Sequence, residues 1–289
     1  MITPMRHAVS GTHIWAPWPG VATLGVAMTR QRLGQHFLGN PVWQKRIFET
    51  LPQNAGDVWI EIGAGHGEMT HLLAADGRRV VAIERDRRLV EGLRQLMRER
   101  PEEWRGAEVV HGDILALDLR RLASDKIRVY GNLPYYITSP ILHRLFRSAD
   151  QIDSMHFVIQ FEVAARIRAR PGSGEYGYLS VACQYYTRPE IVMRIPPGAF
   201  RPAPRVSSAL LRMMLPGGGE SLGVVDEKGF LEFVQACFGQ KRKTLWNNLR
   251  GTTSDELFRQ ALEACGLRPD VRAEQLTLAQ FRALFTQLG

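Results

Sequence analysis

Val58-Trp59-Ile60-Glu61-Ile62-Gly63-Ala64-Gly65-His66-Gly67 is the stretch whose reading decides the fold. A short buried-strand pattern runs directly into three alternating glycines, and a helical run from Glu68 to Ala75 follows. A strand, a glycine turn and a helix in that order make a loop whose backbone can approach a ligand closely. The spacing is G-x-G-x-G, one residue tighter than the dinucleotide fingerprint G-x-G-x-x-G, which argues against a nicotinamide enzyme. Taken alone, such a loop also reads as a tight strand-to-helix turn with no ligand.

Moving outward, Val80 to Ile83 forms a second strand ending in Glu84, 21 residues past Gly63. A carboxylate about 20 residues beyond the first glycine is where a ribose is held in open α/β sheets. A third strand, Glu108 to His111, leads into Gly112-Asp113-Ile114-Leu115. Asp113 is placed to accept from an exocyclic amine of adenine, with Ile114 flanking the ring, or to close an Asx turn; the two readings weigh equally here.

The apolar run Ile127 to Tyr130 is read as a fourth strand delivering Asn132-Leu133-Pro134-Tyr135-Tyr136. Adenine N6 is a poor nucleophile, because its lone pair is delocalised into the ring. An Asn side-chain oxygen and the next residue's carbonyl can both accept from that amino group and draw the lone pair toward an electrophile. Asn132 and Leu133 supply these acceptors, Pro134 fixes the turn, and Tyr135 offers a flat face for an extruded base. A lone match of this length also reads as a proline turn with a core tyrosine. Glu84, Asp113 and Asn132 nevertheless follow successive strands, and ligands of parallel sheets bind outside the carboxyl ends of strands.

Upstream, residues 1–28 carry three prolines and two tryptophans without periodicity and lack the pattern of a secretory signal, which reads as a disordered extension. Met28 resembles a natural start. Gln35-His36-Phe37-Leu38 lies between Gly34 and Gly39, and Pro41 to Leu51 has helical spacing. The charge-rich helix Arg87 to Arg100 reads as a solvated face or an aid to RNA. Downstream, Phe157 to Gln160 is a fifth strand, Phe161 to Arg168 and Tyr178 to Tyr186 are helices, and Ile191 to Ile195 and Ala209 to Leu215 complete seven strands. Arg166, Arg168 and Arg170 flank a flexible loop, Pro171 to Gly174, that suits contact with RNA. Phe200-Arg201-Pro202-Ala203-Pro204-Arg205 is stiff, basic and aromatic, and is expected to close over the substrate with Phe200 opposite Tyr135.

Pro216-Gly217-Gly218-Gly219 marks a domain boundary, so residues 29–215 are read as the α/β domain and 216–289 as a small all-helical one. There, Thr253-x-x-Glu256 and Thr277-x-x-Gln280 are expected capping boxes, and Gly266 a helix stop. Lys241-Arg242-Lys243, placed on a helix, suits an RNA backbone or faces solvent.

The chain has 289 residues and a formal charge of +8, which favours polyanionic partners such as nucleic acid, although a basic surface can also serve solubility alone. Three scattered cysteines imply neither a disulfide framework nor a zinc site and suit a reducing cytoplasm. No apolar run approaches the ~20 residues of a membrane span.

From Arg32 to near Phe281 the chain resembles the small-subunit ribosomal RNA adenine dimethyltransferases, the KsgA family. The likeness rests on GQHFL, EIGAGHGEMT, VVAIERD, GDIL, NLPYYI, QFEVAARI, FRPAPRVSSALL and FGQKRKTLWNNL, in order. It implies a Rossmann-like, seven-stranded class I methyltransferase sheet with a small helical C-terminal domain. The methyl donor would be S-adenosylmethionine and the substrate two adjacent adenines near the 3′ end of small-subunit rRNA, modified by a cytoplasmic monomer without a metal. By matching position, His36, Leu38, Gly63, Glu84, Asp113 and Asn132 would hold the cofactor; Gly65 in the loop, Ile114 against the ring and Glu61 near the ligand's amino end are expected from the residues themselves. Asn132, Leu133 and Tyr135 would also hold the target base by matching position, while Phe200 at the base and Arg201, Arg205, Lys241, Arg242 and Lys243 at the RNA are expected from the character of their own segments. Two departures are His36, where the family usually has Asn, and Ala64, where Pro is frequent. The alternatives are a large-subunit rRNA adenine methyltransferase sharing the catalytic motifs and an assembly factor that has lost catalysis.

Overall fold

The computed structural model describes residues 36–54, 56–75, 77–123, 126–250 and 253–288, all within one compact unit. The expected N-terminal extension, the start at Met28 and the pair Gly34-Gln35 lie outside the described residues. Seven strands form one sheet: β1 Val58–Ile62, β2 Arg79–Glu84, β3 Ala107–His111, β4 Ile127–Asn132, β5 Ile152–Gln160, β6 Arg188–Ile195 and β7 Ser208–Met214. Their order is β3-β2-β1-β4-β5-β7-β6, with β7 antiparallel to both its neighbours. The carboxyl ends of β1, β2, β3, β4 and β5 therefore share one edge with the amino end of β7.

Residues alternate between the two faces of the sheet, and both faces are covered, which explains the nearly continuous apolar strands. Trp59, Val80, Tyr130, Val158 and Leu210 pack on one side with Ile47 of helix α1 (Pro41–Thr50) and Leu73 of α2 (Glu68–Ala74). Ile60, Val81, Val129, Phe157 and Leu211 pack on the other with Leu142 of α4 (Thr138–Phe146), Ile167 of α5 (Phe161–Ile167) and Cys183 of α6 (Tyr178–Tyr186). Between them in sequence, α3 (Arg87–Glu99) buries Val90 and Leu93 and leaves most of its arginines exposed.

Helices α7 (Glu227–Cys237), α8 (Leu245–Leu249), α9 (Asp255–Ala264) and α10 (Leu278–Leu288) enclose a separate core of Phe230, Val234, Phe258, Leu262 and Phe281. That core is completed by Tyr176, Val181 and Tyr185 from α6 and the loop before it. Thr277 and Gln280 form the expected reciprocal cap of α10. The cap of α9 is Ser254 rather than Thr253, because it is the Ser254 hydroxyl that accepts from the Leu257 N–H. Gly266 ends α9 at φ +62°, as expected. Lys241, Arg242 and Lys243 do not lie on a helix; they occupy an exposed turn between α7 and α8.

The glycines after Pro216 are packing positions. The N–H groups of Gly218 and Gly219 donate to the carbonyls of Gln184 and Tyr185 at 2.9 and 2.8 Å. A Cβ on Gly217 would stand 2.2 Å from the Thr187 nitrogen and 2.5 Å from the Tyr186 carbonyl carbon, both backbone atoms that cannot rotate away. Gly217→Ala is therefore expected to destabilise the protein by about 2 kcal/mol, the scale of overpacking. Gly198→Ala, with no atom within 4 Å of the new Cβ, serves as the comparison and should stay within about 0.5 kcal/mol. Urea unfolding of both variants measures the difference, and equal midpoints would refute the packing argument.

Candidate active site

The glycine loop turns beneath the strand ends through three left-handed residues, Gly63, Gly65 and Gly67, at φ +76°, +61° and +89°. Side chains rarely adopt this region, which accounts for the alternation. A Cβ on Gly67 would also meet Leu93 at 2.4 Å, whereas nothing lies within 4 Å of one on Gly63, so the loop's first residue borders open space. Gly65 is backed by the Phe37 ring, 3.1 Å from the position of a Cβ.

Glu84, at the end of β2, is 5% exposed. One carboxylate oxygen accepts the Gly65 N–H at 3.0 Å, and the other accepts the N–H groups of Arg85 and Asp86 at 2.7 and 2.8 Å. Each oxygen keeps further lone-pair capacity for a ribose hydroxyl. After β3, Asp113 closes the Asx turn, accepting the Leu115 N–H at 3.0 Å, and its second oxygen stands 3.6 Å from an Arg85 guanidinium nitrogen. The turn holds a partly exposed carboxylate at the sheet edge, so both readings of Asp113 are compatible. Ile114 packs into the core at 5% exposure and presents little surface to flank a ring, while Leu115 is 40% exposed.

Glu61 lies inside β1, with Tyr130 of β4 directly beside it in register. The Thr70 hydroxyl donates to its carboxyl. Burial raises the Glu61 pKa to about 8; the Thr70 hydrogen bond lowers it in part, and the charges of Glu68 and Glu84 add to the rise. Glu68, at the start of α2, is likewise raised by burial.

Asn132 ends β4. Its amide nitrogen donates to the His36 carbonyl at 2.7 Å, an assignment the chemistry forces because a carbonyl only accepts. The Asn132 side-chain oxygen is thereby the atom left to receive a ligand's N–H. Leu133 is buried and its N–H donates to the Val158 carbonyl at 3.0 Å; the turn into α4 then closes on the Pro134 carbonyl, one residue past that of Leu133. The Tyr135 hydroxyl pairs with the Ser208 hydroxyl at 2.8 Å, and the His36 ring stacks at 5.7 Å and 29°. Burial raises the Tyr135 pKa.

The segment around His36 is sewn to the loop before β7. Phe37 and Arg201 exchange backbone hydrogen bonds at 3.0 and 2.8 Å, and His36 Nδ1 donates to the Pro202 carbonyl at 2.7 Å. Leu38 is buried, with its carbonyl accepting from Gln44 at 2.6 Å. Arg201 and Arg205 are exposed. Phe200 departs from its expected role: its ring is 0% exposed in the core with Tyr130, Val158 and Leu210, so it has no open face for a base opposite Tyr135. Ser208 and Thr70 were not singled out by sequence reading. A serine opening a strand and a threonine inside a helix carry no local signal of the partners they find across the fold.

A profile of the ribosomal RNA adenine dimethylase family matches residues 26–288. The chain belongs to that family. It is 41% identical to ribosomal RNA small subunit methyltransferase A of Koribacter versatilis, over 90% of this chain and 94% of the relative. The protein of that name in Acinetobacter baylyi is 38% identical, over 90% and 92%. Among solved structures, the 23S rRNA methyltransferase ErmE is similar with a TM-score of 0.64 and 25% identity, covering 87% of this chain and 99% of that one. A dimethyladenosine transferase from Plasmodium falciparum shares the fold, with a TM-score of 0.68, 22% identity and coverage of 86% and 96%. The molecule is thus an rRNA adenine dimethyltransferase on a seven-stranded α/β methyltransferase sheet.

The buried Glu61 generates a testable pH dependence. Its folded-state pKa lies above the ordinary carboxylate value, so its contribution to stability is fully present below about pH 4.5 and is lost as pH rises through about 8. Replacing it by Gln keeps the shape and removes the titration. Urea midpoints of the ligand-free wild type should fall between pH 5 and 8.5 by more than those of Glu61→Gln, the difference reaching a few kcal/mol; parallel slopes would contradict the assignment.

Proposed function

We propose that this enzyme transfers methyl groups from S-adenosylmethionine to N6 of two adjacent adenines near the 3′ end of small-subunit rRNA, giving dimethyladenines. The observation that carries the reading is the Asn132 amide, tied by its nitrogen to the His36 carbonyl at 2.7 Å, which leaves its side-chain oxygen as the acceptor at the end of β4, with the Leu133 carbonyl next in the chain. Acceptors from two consecutive residues match the two N–H groups of an exocyclic amine.

The residues present suit the cofactor. Gly63 borders open space, Glu84 offers acceptors to ribose hydroxyls, and the Asp113 carboxylate can accept from an adenine amine. S-adenosylmethionine, when bound, supplies an electrophilic methyl on a sulfonium. Asn132 and the Leu133 carbonyl orient the target N6 and concentrate its lone pair on the side away from them. Tyr135 gives the base a stacking face, and its position is fixed by Ser208 and His36. The reaction is direct displacement, in which the carbon–sulfur bond breaks as the nitrogen–carbon bond forms. Asn132 is no base; the proton leaves the cationic amine after attack and passes to solvent. Positioning of this kind is worth up to ~7–11 kcal/mol of the barrier.

Exposed cations at Arg201, Arg205, Lys241, Arg242 and Lys243 are assigned to the RNA backbone, with residues 216–289 as the RNA-binding helical part and 29–215 as the catalytic part. Among the described residues no helix is long and apolar enough to cross a membrane. The enzyme is taken to work as a cytoplasmic monomer on an assembling small subunit.

The test is incubation with radiolabelled S-adenosylmethionine and unmethylated small subunits, with large subunits and Asn132→Ala in parallel. N6,N6-dimethyladenine should appear near the small-subunit RNA 3′ end, and the variant should lose about 10²-fold or more in rate, as when an oriented polar group is removed from a reacting centre. Label confined to large subunits would move the activity to the other ribosomal RNA, and binding without label would make the protein an assembly factor.

A further inference from the structure

We infer that His36 is a positioning residue for Asn132 and Tyr135, acting as a latch between the segment before α1 and the loop before β7. This rests on the methyltransferase reading and adds a role that cofactor contact alone does not give.

Three interactions of one residue make the case. The His36 carbonyl accepts the Asn132 amide nitrogen at 2.7 Å. The same residue's Nδ1 donates to the Pro202 carbonyl at 2.7 Å. Its ring lies at 29° to that of Tyr135, with centroids 5.7 Å apart. The backbone carbonyl that fixes Asn132 is therefore held in place by its own side chain, whose hydrogen bond reaches a loop 166 residues away in sequence. Next to it, Phe37 and Arg201 exchange two backbone bonds, and because the Phe37 N–H shares a planar peptide with the His36 carbonyl, its bond to Arg201 already restrains that carbonyl from one side. The Nδ1 bond adds a second restraint from the side chain, to the carbonyl of the adjoining Pro202. With one face of Tyr135 lined by the imidazole and the hydroxyl held by Ser208, the base is left the opposite face.

The chemistry separates this role from others that a histidine could play. The required group is an N–H donor at the Nδ1 position, since its partner is a carbonyl. Asparagine places its amide nitrogen where Nδ1 stands, two bonds beyond Cβ. Glutamine places its amide one bond farther, near the position of Nε2. A latch should accept the first and refuse the second, whereas a role in ligand contact through Nε2 would favour glutamine. His36 is half-buried, so none of these changes opens a large cavity.

The experiment uses the full chain and unmethylated small subunits. For His36→Ala we expect kcat to fall about 10- to 100-fold, as for a displacement of the reacting groups on the order of 1 Å, with any loss of affinity for S-adenosylhomocysteine, measured by calorimetry, too small to account for the loss in kcat/KM. His36→Asn should recover most of the loss in kcat, and His36→Gln should not. A second measurement, by NMR, does not depend on turnover: in 15N-labelled protein, the Asn132 side-chain amide proton bonded to the His36 carbonyl should be shifted downfield and exchange slowly with solvent in the wild type and in His36→Asn, and should move upfield and exchange faster in His36→Ala. A normal kcat in His36→Ala, equal rescue by Gln and Asn, a loss in affinity that accounts for the whole loss in kcat/KM, or an unchanged Asn132 amide spectrum would each overturn the latch. A wild-type protein that transfers no methyl group would instead overturn the functional reading, and the NMR comparison would still decide whether His36 fixes Asn132.

Discussion

The Glu84 carboxylate accepts backbone N–H groups from Gly65, Arg85 and Asp86, while the Glu84 carbonyl accepts from Gly112. One residue thereby ties the loop after β1, the end of β2 and the start of the loop after β3. Hydrogen bonds to a charged acceptor contribute about 1.5–3 kcal/mol each, more than neutral ones. Their larger effect is geometric. Three loops that would otherwise sample separate conformations share a single anchor, so the groups at this end of the sheet keep fixed places relative to one another. A carboxylate held in this way stays ordered without a ligand, which removes an entropic cost from binding.

The same edge of the sheet depends equally on the reversed direction of β7. Parallel strands end at this edge, and an antiparallel one begins there. Ser208, first residue of β7, consequently lies within reach of Tyr135, 73 positions earlier in sequence. The preceding loop, Ala199 to Pro202, meets the segment His36 to Asn40 for the same reason. A fully parallel sheet would have put Ser208 and this loop at the opposite edge. The positions of Asn132 and Tyr135 are therefore set by contacts that span most of the chain, and the site forms only when the sheet is complete.

This explains what could be read from sequence and what could not. Strands buried on both faces announce themselves by continuous apolar runs, and the left-handed turns by glycine, so the sheet, the loop after β1 and the acidic residues at strand ends were legible. So was Gly266, whose positive φ has a local cause. Helix α4 was not anticipated, although Ile141, Leu142, Leu145 and Phe146 keep helical spacing; Pro140 sits in its first turn, where proline is tolerated but obscures the pattern. Phe200 illustrates a different limit. An aromatic residue in a stiff basic loop has the composition of a substrate clamp, yet burial is decided by what lies beneath the loop, here Tyr130, Val158 and Leu210. Lys241 to Lys243 likewise fall in a turn because Phe238 and Gly239 end α7 just before them, and a short cationic run has no period by which to tell helix from turn.

The attachment of the helical part bears on how a long substrate is held. Helix α6 covers the sheet with Cys183 and contributes Val181 and Tyr185 to the second core, so the two cores meet through a single rigid element. The loop after α5 adds two connections: the Gly172 N–H donates to the Glu274 carbonyl at 2.7 Å, and the Lys241 ammonium to the Gly174 carbonyl. Exposed cations on the turn after α7 are thus carried on the same framework as the strand ends. For a polyanion this matters more than the charge itself. Backbone contacts to a nucleic acid fix register without reading bases, so under the proposed function the fixed separation between this turn and Asn132 is what would convert attraction for RNA into delivery of one particular adenine.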